Sequence, residues 1–447
     1  MARLLKHLPP VAAALGVSLL LAQGVLSNSL ERESFRDWDQ HVAYAEAAAA
    51  SVRQYGEAPF WNPYTCGGVP LLAHPESRVL TPFFLLYLAM PPPVAMKWDI
   101  ALHFAIAALG MLLLIRQEGG SVAAGLVAAF IFGGSTFFSL HLAEGHTWIL
   151  SAAYAPLVLA LYERGRDRLA WAGVAGALLA LMVGEGGIYP APHLCPLLGL
   201  YAVGLSLVER SPRPLLVLGL LFLVAALLAM PKLLPLLDFM GRQPRHVDSG
   251  EVLPARAILH ALTDRHQAFD RPFDWRYWPW HEQGSYVGVV ALLLAAVAVL
   301  ATGRRSAVLG GVGVLFALLA AGSFARWAPW TLLHELPVFR SHHVPSRFLS
   351  LVVLVVALLA GRGAGVLLSW SPSPRLRDAL AALLVLTVGA DVLSARLDIL
   401  GPLRCAEAPW PPASTSEPPF TLRGSPRRAA CAYGGLAPSV RAGMMIV

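Results

Sequence analysis

The sequence predicts an all-α polytopic membrane protein with about eleven transmembrane helices. Of its 447 residues, 56% are hydrophobic and only 14% are charged, and the mean hydropathy is +0.60. Soluble proteins carry about 25% charged residues. Apolar runs of roughly 17–25 residues alternate with short charged turns, which is typical of membrane-spanning helices. Lipid offers no hydrogen-bond partners, so each run must satisfy its own backbone groups as a helix.

The first predicted span is 9–28, and it follows Arg3 and Lys6. It resembles a signal peptide, but no small-residue cleavage site precedes the acidic segment that follows, so we interpret it as an uncleaved span. The apolar runs predict ten further spans. They lie at 98–115, 121–141, 147–162, 169–185, 189–208, 214–236, 285–302, 306–322, 346–368 and 378–398.

Basic residues in the short turns set the predicted orientation, with the N-terminus in the cytoplasm. The inner turns contain Arg164, Arg166 and Arg168, then Arg210 with Arg213, Arg304 with Arg305, and Arg375 with Arg377. If segment 79–90 also crossed the membrane, all of these turns would fall outside. That segment is short and contains Pro82, so we predict an interfacial or re-entrant helix. The turn arginines also account for the net charge of +7, and no nucleic-acid partner is expected.

The predicted orientation divides the chain into four parts: the first span at 1–28, an outer loop at 29–97, a helical bundle at 98–398 and a tail at 399–447. The outer loop is expected to contain a helix over 39–55, supported by a run of alanines, followed by an irregular segment at 60–77. The bundle has outer loops at 237–284 and 323–345. The tail is rich in proline and predicted to lie outside, where Cys405 and Cys431 could pair.

Ionisable residues gather at the predicted outer ends of the helices, which suggests one cavity on that face. The cluster begins with Asp37, Asp39 and His41, directly after the first span. Its other members are Glu76, Glu144, His146, Glu185, His193, Asp238, Arg242, His246, Glu282, His342 and His343, and Arg340 and Arg347 lie on the same face.

Several of these residues also have a simpler explanation. Asp37 could be the N-cap of the 39–55 helix, and Glu144 with His146 could form a solvated turn. Arg340 and Arg347 call for an anionic partner, either a phosphate or an acidic loop residue. The tryptophans are most often anchors at the membrane interface. They are Trp61, Trp148, Trp275, Trp278 and Trp280.

Several short motifs occur in a recognisable order along the first 400 residues. Asp37-Trp38-Asp39-Gln40-His41 is followed by Trp61-Asn62-Pro63-Tyr64, Gly67-Gly68-x-Pro70, His74-Pro75-Glu76-Ser77 and Gly145-His146. Later come Glu282, Tyr286-x-Gly288, and Pro337-x-x-Arg340 with Pro345-x-Arg347. In this order the chain resembles bacterial membrane proteins of YfhO type, within the GT-C glycosyltransferase superfamily.

The resemblance implies a GT-C-like bundle with juxtamembrane helices in the first outer loop, in the bacterial inner membrane. It also implies transfer of a sugar from a polyprenyl-phosphate donor to an extracytoplasmic acceptor glycan, lipid or protein. The superfamily's first-loop acidic residue corresponds to Asp37 or Asp39. We expect Asp39 to be the catalytic base, because Asp37 has the alternative role of a cap, with Asp37 as its partner or co-ligand.

The leaving phosphate requires a cation. Arg340 and Arg347 are the first candidates, followed by Arg242 or Lys232. A divalent ion, Mg²⁺ or Mn²⁺, held by Asp37 and Asp39 is an alternative. We expect Trp61, Asn62, Glu144 and His146 to contact the sugar.

Two other functions are consistent with the same composition. A transporter or flippase of lipid-linked sugars would need ionisable residues deep in the spans, and the spans are predicted to be apolar at their centres. A non-catalytic protein of envelope-glycan assembly would not depend on Asp37 and Asp39.

Overall fold

Long apolar helices make up most of the chain in the computed structural model, which describes residues 8–27, 37–65, 67–267 and 279–400. The predictions about Trp275, Trp278, Cys405, Cys431 and the tail fall outside these residues. The α-helices, numbered α1 to α17, are Leu8–Ser27, Trp38–Tyr55, Phe84–Ala89, Pro92–Gln117, Val122–Gly134, Thr136–Glu144, Ala155–Gly165, Ala170–Gly184, Pro190–Glu209, Arg213–Arg242, Ala255–Thr263, Trp280–Gln283, Val289–Ala301, Arg304–Ala320, Pro329–Leu333, Leu349–Ser369 and Pro374–Leu400. Short 3₁₀ helices occupy Thr147–Tyr154, Phe339–Ser341 and Pro345–Phe348.

Helices lie at all of the predicted spans, and the chain is a multi-pass membrane protein. Within the described ranges, seven helices are long and apolar enough to cross a membrane, and α8 and α13 are shorter apolar helices. The number eleven is therefore still a prediction. One predicted start is late: α4 begins at Pro92 rather than near residue 98, because proline is well suited to the first helical turn.

Small residues allow the central helices to pack closely. Helix α4 packs against α1, α5 and α7, and α16 packs against α5, α13 and α14. At Gly363 of α16, an added Cβ would lie 1.9 Å from the carbonyl oxygen of Leu294 in α13. The two backbones therefore touch, a close approach that glycine permits in membrane helix pairs.

The first loop is folded and packs onto the bundle. Helix α2 buries Ala47, Ala48 and Ala49 and ends at Gly56 in the left-handed region, the usual glycine terminator. Segment 60–77, expected to be irregular, contains a minimal antiparallel ladder between β1 (Trp61–Asn62) and β2 (Val69–Pro70). Helix α3 has six residues, which is too short to span a bilayer.

The bundle has two distinct ends. Helix α4 starts beside the first loop and runs for 26 residues, a length of about 39 Å. Helix α16 starts next to Arg347 on the same side as the first loop and ends near Ser369. We call these the first-loop end and the basic-turn end, because the arginine-rich connections lie at the second.

Candidate functional site

The start of the first loop is attached to the turn after α6. The backbone N–H of Asp37 donates to the carbonyl oxygen of Glu144 at 3.0 Å. Gly145 has φ +88°, and a Cβ at this position would lie 2.4 Å from the backbone nitrogen of Trp38. Glycine is therefore required here for two reasons: the backbone conformation and the close approach of the loop.

The side chain of Asp37 contacts histidine rather than capping α2. Asp37 occupies the N-cap position, as the sequence allows, but its side chain makes no cap hydrogen bond. Its Oδ2 lies 3.2 Å from Nε2 of His146, and Nδ1 of His146 lies 2.8 Å from Nδ1 of His141. Nδ1 of one ring donates to Nδ1 of the other, and Nε2 of His146 donates to the Asp37 carboxylate.

The contact with His146 lowers the pKa of the Asp37 carboxyl. Burial alone would raise the pKa of the Asp37 carboxyl, but the hydrogen bond and charge of His146 outweigh it, helped by His41 and Arg347. The pKa is therefore lowered, and Asp37 is a carboxylate at neutral pH. Asp39 lies in the first turn of α2, and its side chain is outside the described part of the chain, so its preference as the base stays a prediction.

Arg347 forms a buried bidentate pair with Glu282. The two Arg347–Glu282 hydrogen bonds measure 2.8 and 2.5 Å. Burial alone would raise the pKa of Glu282, but the charge and hydrogen bonds of Arg347 hold it well below its usual range. The guanidinium lies 4.2 Å from the ring centroid of Tyr189 and 4.9 Å from that of Trp148, close enough for cation–π attraction.

Trp148 joins the two pairs into one site, here called the Asp37–Arg347 site. Its ring centroid lies 5.6 Å from that of His146, while its face meets Arg347. Trp148 and Trp280 are each only 2% exposed, so neither is an interfacial anchor. Trp61 is 52% exposed and does fit that role. The acidic alternative for Arg347 is thus correct, with Glu282 as the partner.

Glu76 and His41 lie beside the same site without forming a salt bridge. Nε2 of His41 is 3.8 Å from Oε2 of Glu76. Burial lowers the pKa of His41 to about 3. Burial, and next the charge of Asp37, raise the pKa of Glu76 to about 7. His41 is therefore neutral near pH 7 and Glu76 is about half protonated, since each charged form is poorly solvated.

Two of the other predicted residues join the site only indirectly. The carboxylate of Glu144 pairs with His281, at 3.0 Å, so the turn at 144–146 is buried rather than solvated. Asn62 is fully buried and turns its own loop by accepting from the backbone N–H of Tyr64. Asn62 therefore stabilises its own loop, and its contact with a sugar is still a prediction.

The remaining predicted cations are separate from Arg347. Arg242 pairs with Asp238 on the exposed surface, and Arg340 pairs with Glu335. Lys232 is buried and donates to the carbonyl oxygens of His74 and Ser77, which fixes the first loop against α10. Lys232 therefore has a structural role, and a role as a phosphate ligand is still a prediction.

An apolar groove of about 370 Å³ opens next to the site. Its walls are the start of α9, the last turns of α10, and the loops around 243–246 and 337–342. Tyr189 and His342 belong both to this groove and to the aromatic wall around Arg347. Arg245 and Arg340 lie at the groove, and the buried Nε of Arg245 has no hydrogen-bond partner in the described ranges. The groove therefore places apolar space next to two arginine side chains.

A second network of buried charges was not predicted. Arg78 of the first loop pairs with Asp99 at 2.9 Å. His103 bonds Glu185 at 2.8 Å, and Tyr154 donates to the same carboxylate at 2.8 Å. The signal was the i, i+4 pair Asp99 and His103 inside an apolar run, since ionisable residues in spans usually have a function.

This network also corrects the expectation of spans that are apolar at their centres. His103 lies near the middle of α4 and is 1% exposed, and Arg396 is buried in α17. Among the described side chains, no three of His, Cys, Asp or Glu gather as metal ligands. A divalent ion at Asp37 and Asp39, the alternative to an arginine, is still a prediction that includes an undescribed side chain, and no step below uses it.

The comparison with solved structures finds the arabinofuranosyltransferase AftD from Mycobacteria. The match has a TM-score of 0.51 at 19% identity and covers 88% of this chain. AftD belongs to the GT-C superfamily of membrane glycosyltransferases. The chain has a GT-C fold. It spans 27% of the length of AftD. No family model and no curated protein matches the sequence, and the YfhO-type resemblance is still a prediction.

Proposed function

We propose that the chain is a membrane glycosyltransferase that moves a sugar from a polyprenyl-phosphate donor to an acceptor glycan, lipid or protein outside the cytoplasm. The observation that supports it is the apolar groove, because it leads to Tyr189 and His342 and so to the Asp37–Arg347 site. A prenyl chain requires apolar space, a phosphate requires cations, and a sugar requires polar and aromatic groups. The groove supplies the apolar space, Arg245 and Arg340 supply the cations, and the Asp37–Arg347 site supplies polar and aromatic groups. A GT-C fold alone would not fix an activity.

In this proposal Asp37 is the base, rather than Asp39. An acceptor hydroxyl gives its proton to the Asp37 carboxylate, which His146 orients and keeps ionised. The acceptor oxygen then forms a bond to the anomeric carbon of the sugar. The bond from that carbon to the phosphate oxygen breaks, and its electron pair leaves with the lipid phosphate. A single displacement of this kind inverts the anomeric centre.

Arg245 is the proposed ligand of the lipid phosphate, with Arg340 beside it. Both lie at the groove, and the unsatisfied Nε of Arg245 is a donor available to an anion. Arg347 is already neutralised by Glu282, so its proposed role is to hold Trp148 and Tyr189 against the sugar. Glu76 is about half protonated near pH 7, and in its protonated form it can donate a hydrogen bond to a sugar hydroxyl.

The test is transfer from a synthetic short-chain polyprenyl-phosphate sugar in detergent, with lipid binding followed by native mass spectrometry. Asp37→Asn should lower the rate about 100-fold or more, as expected for loss of a general base, while lipid binding is retained. Arg245→Gln should lose the lipid. Asp238→Asn, an exposed acid in α10, is the matched control. Full transfer in an Asp37→Asn, Asp39→Asn double variant would refute the catalytic proposal.

A transporter of lipid-linked sugars is the second candidate, and buried ionisable residues in the spans favour it. His103 in α4, Lys232 in α10 and Arg396 in α17 are each about 1% exposed. A transporter would move a fluorescent lipid-linked sugar across proteoliposomes whether or not Asp37 is replaced. A non-catalytic assembly protein would neither transfer the sugar nor transport the lipid-linked sugar.

A further inference from the structure

The basic-turn end of the bundle contains a polar cavity of about 960 Å³. Four connections line it: those between α4 and α5, α7 and α8, α9 and α10, and α13 and α14. The second half of α16 and the start of α17 complete its walls. Helix α4 separates this end from the first-loop end by about 39 Å. The cavity is therefore independent of the Asp37–Arg347 site.

Six arginines and four carboxylates line this cavity, so its walls have a formal charge of +2. Glu209 contacts Arg166 at 2.5 Å and Arg305 at 2.9 Å. Arg362 forms a bidentate pair with Glu118. These pairs fix the walls of the cavity by charge-assisted hydrogen bonds between different connections.

Two of the arginines have no carboxylate partner within the described ranges. The Arg164 guanidinium lies over the ring of Trp171, 5.7 Å from its centroid. Arg213 donates to the carbonyl oxygens of Arg166 and Asp167. The positive-inside rule accounts for arginines in these turns. It does not account for a cavity around two guanidinium groups without a carboxylate partner.

We propose that this cavity binds a phosphate-bearing ligand, with the phosphate held by Arg164 and Arg213. The guanidinium fork matches the geometry of phosphate oxygens and is less strongly hydrated than an ammonium group. The volume suits a whole headgroup or phosphate ester rather than a single ion. Because the cavity lies where the predicted cytoplasmic headgroups begin, the phosphate belongs to a lipid headgroup or to a soluble phosphate ester, which share this chemistry.

Binding to the purified full chain in a neutral detergent, measured by isothermal titration calorimetry, tests the proposal. Dihexanoyl phosphatidylglycerol probes a lipid headgroup, with dihexanoyl phosphatidylcholine as its zwitterionic control. Inorganic pyrophosphate probes a soluble phosphate. Binding of the first alone assigns a lipid, and binding of pyrophosphate assigns a soluble ligand. Absence of binding by both would overturn the proposal.

Matched variants separate the cavity from general surface charge. Arg164→Gln with Arg213→Gln should weaken binding about tenfold or more. Arg304→Gln with Arg375→Gln removes the same charge from exposed residues at the same end that do not line the cavity, and should leave binding unchanged. Equal losses in the two double variants would overturn the proposal, because they would indicate nonspecific attraction.

A second variant keeps the test valid if loss of Arg213 disturbs the fold. Gly365 lines the cavity and has no heavy atom within 4 Å of an added Cβ. Gly365→Tyr would fill the space without changing any charge and should abolish binding of the probe. Gly199→Tyr, at a helical glycine that also has open space around it, is its control. Undiminished binding by Gly365→Tyr would place the ligand elsewhere.

Discussion

The carboxylate of Asp37 lies 3.2 Å from Nε2 of His146, although the sequence between them contains the whole folded part of the first loop and two apolar segments. The contact depends on the turn at Gly145, which brings the backbones of Asp37 and Glu144 together. His146 in turn bonds His141. The proposed base is therefore positioned by the bundle and not by its own helix.

Replacement of His146 should shift the pH dependence of the proposed transfer. His146 lowers the pKa of Asp37, so His146→Phe should raise that pKa and move the acidic limb of kcat/KM to higher pH. His146→Gln retains an N–H donor and should restore part of the activity. A lower rate with an unmoved pH profile would indicate a purely structural role. His260→Gln, at an exposed histidine, is the control.

Gly145→Ala should detach the start of the first loop. The positive φ and the 2.4 Å approach to Trp38 together make alanine unfavourable, at a cost of roughly 1–3 kcal/mol. Hydrogen exchange should show faster exchange in α2, together with a lower thermal midpoint. Gly173→Ala in α8 has open space and ordinary helical backbone and should be neutral or slightly stabilising. Unchanged exchange in α2 would contradict the docking contact.

Glu76 should make the protein less stable as pH rises from about 4.5 to about 7. Its pKa rises from 4.5 to about 7 on folding, so within this window the folded state binds more protons than the unfolded state, and the free energy of unfolding falls. The full effect, above pH 7, is roughly 3 kcal/mol. Glu76→Gln should remove this slope in thermal unfolding and leave the variant more stable at pH 8. An identical slope in both proteins would refute the assignment.

Breaking the Arg347–Glu282 pair should be strongly destabilising. Arg347→Met leaves Glu282 buried without its cation and should cost about 3–5 kcal/mol. Arg347→Met with Glu282→Gln should recover much of the loss, because no buried charge is left. Arg340→Met, at an exposed pair, should cost less than about 1 kcal/mol. Additive losses in the double variant would contradict a direct interaction.

The sequence allowed prediction of the helices and of one end of the site, but not of the contacts between segments. Apolar runs reveal helices because lipid imposes that structure locally. The grouping of Asp37, His146, Glu282 and Arg347 at one face followed from topology. Their pairing did not, since a pair depends on the approach of distant segments.

Other features were missed for the same reason. The sequence predicts Trp148 at the membrane interface. Its burial depends on α9 and on the loop before α16, and no local pattern encodes the approach of these segments. No sequence pattern distinguishes Arg245 from other arginines, because its unsatisfied donor exists only in the folded groove. The sequence offers Lys232 and Arg242 as equivalent candidate cations. Packing buries Lys232 against loop carbonyl oxygens and leaves Arg242 exposed.

The division of the site between the first loop and the beginning of α16 has a consequence for synthesis of the chain. Asp37 emerges from the ribosome early, and Arg347 follows roughly 300 residues later, a delay of roughly 15–60 s at ordinary translation rates. During this interval the first loop lacks the cation-bearing wall that completes its surroundings. A nascent chain can therefore be inserted and largely helical while still unable to assemble the site, and the site forms only after the start of α16 has been synthesised.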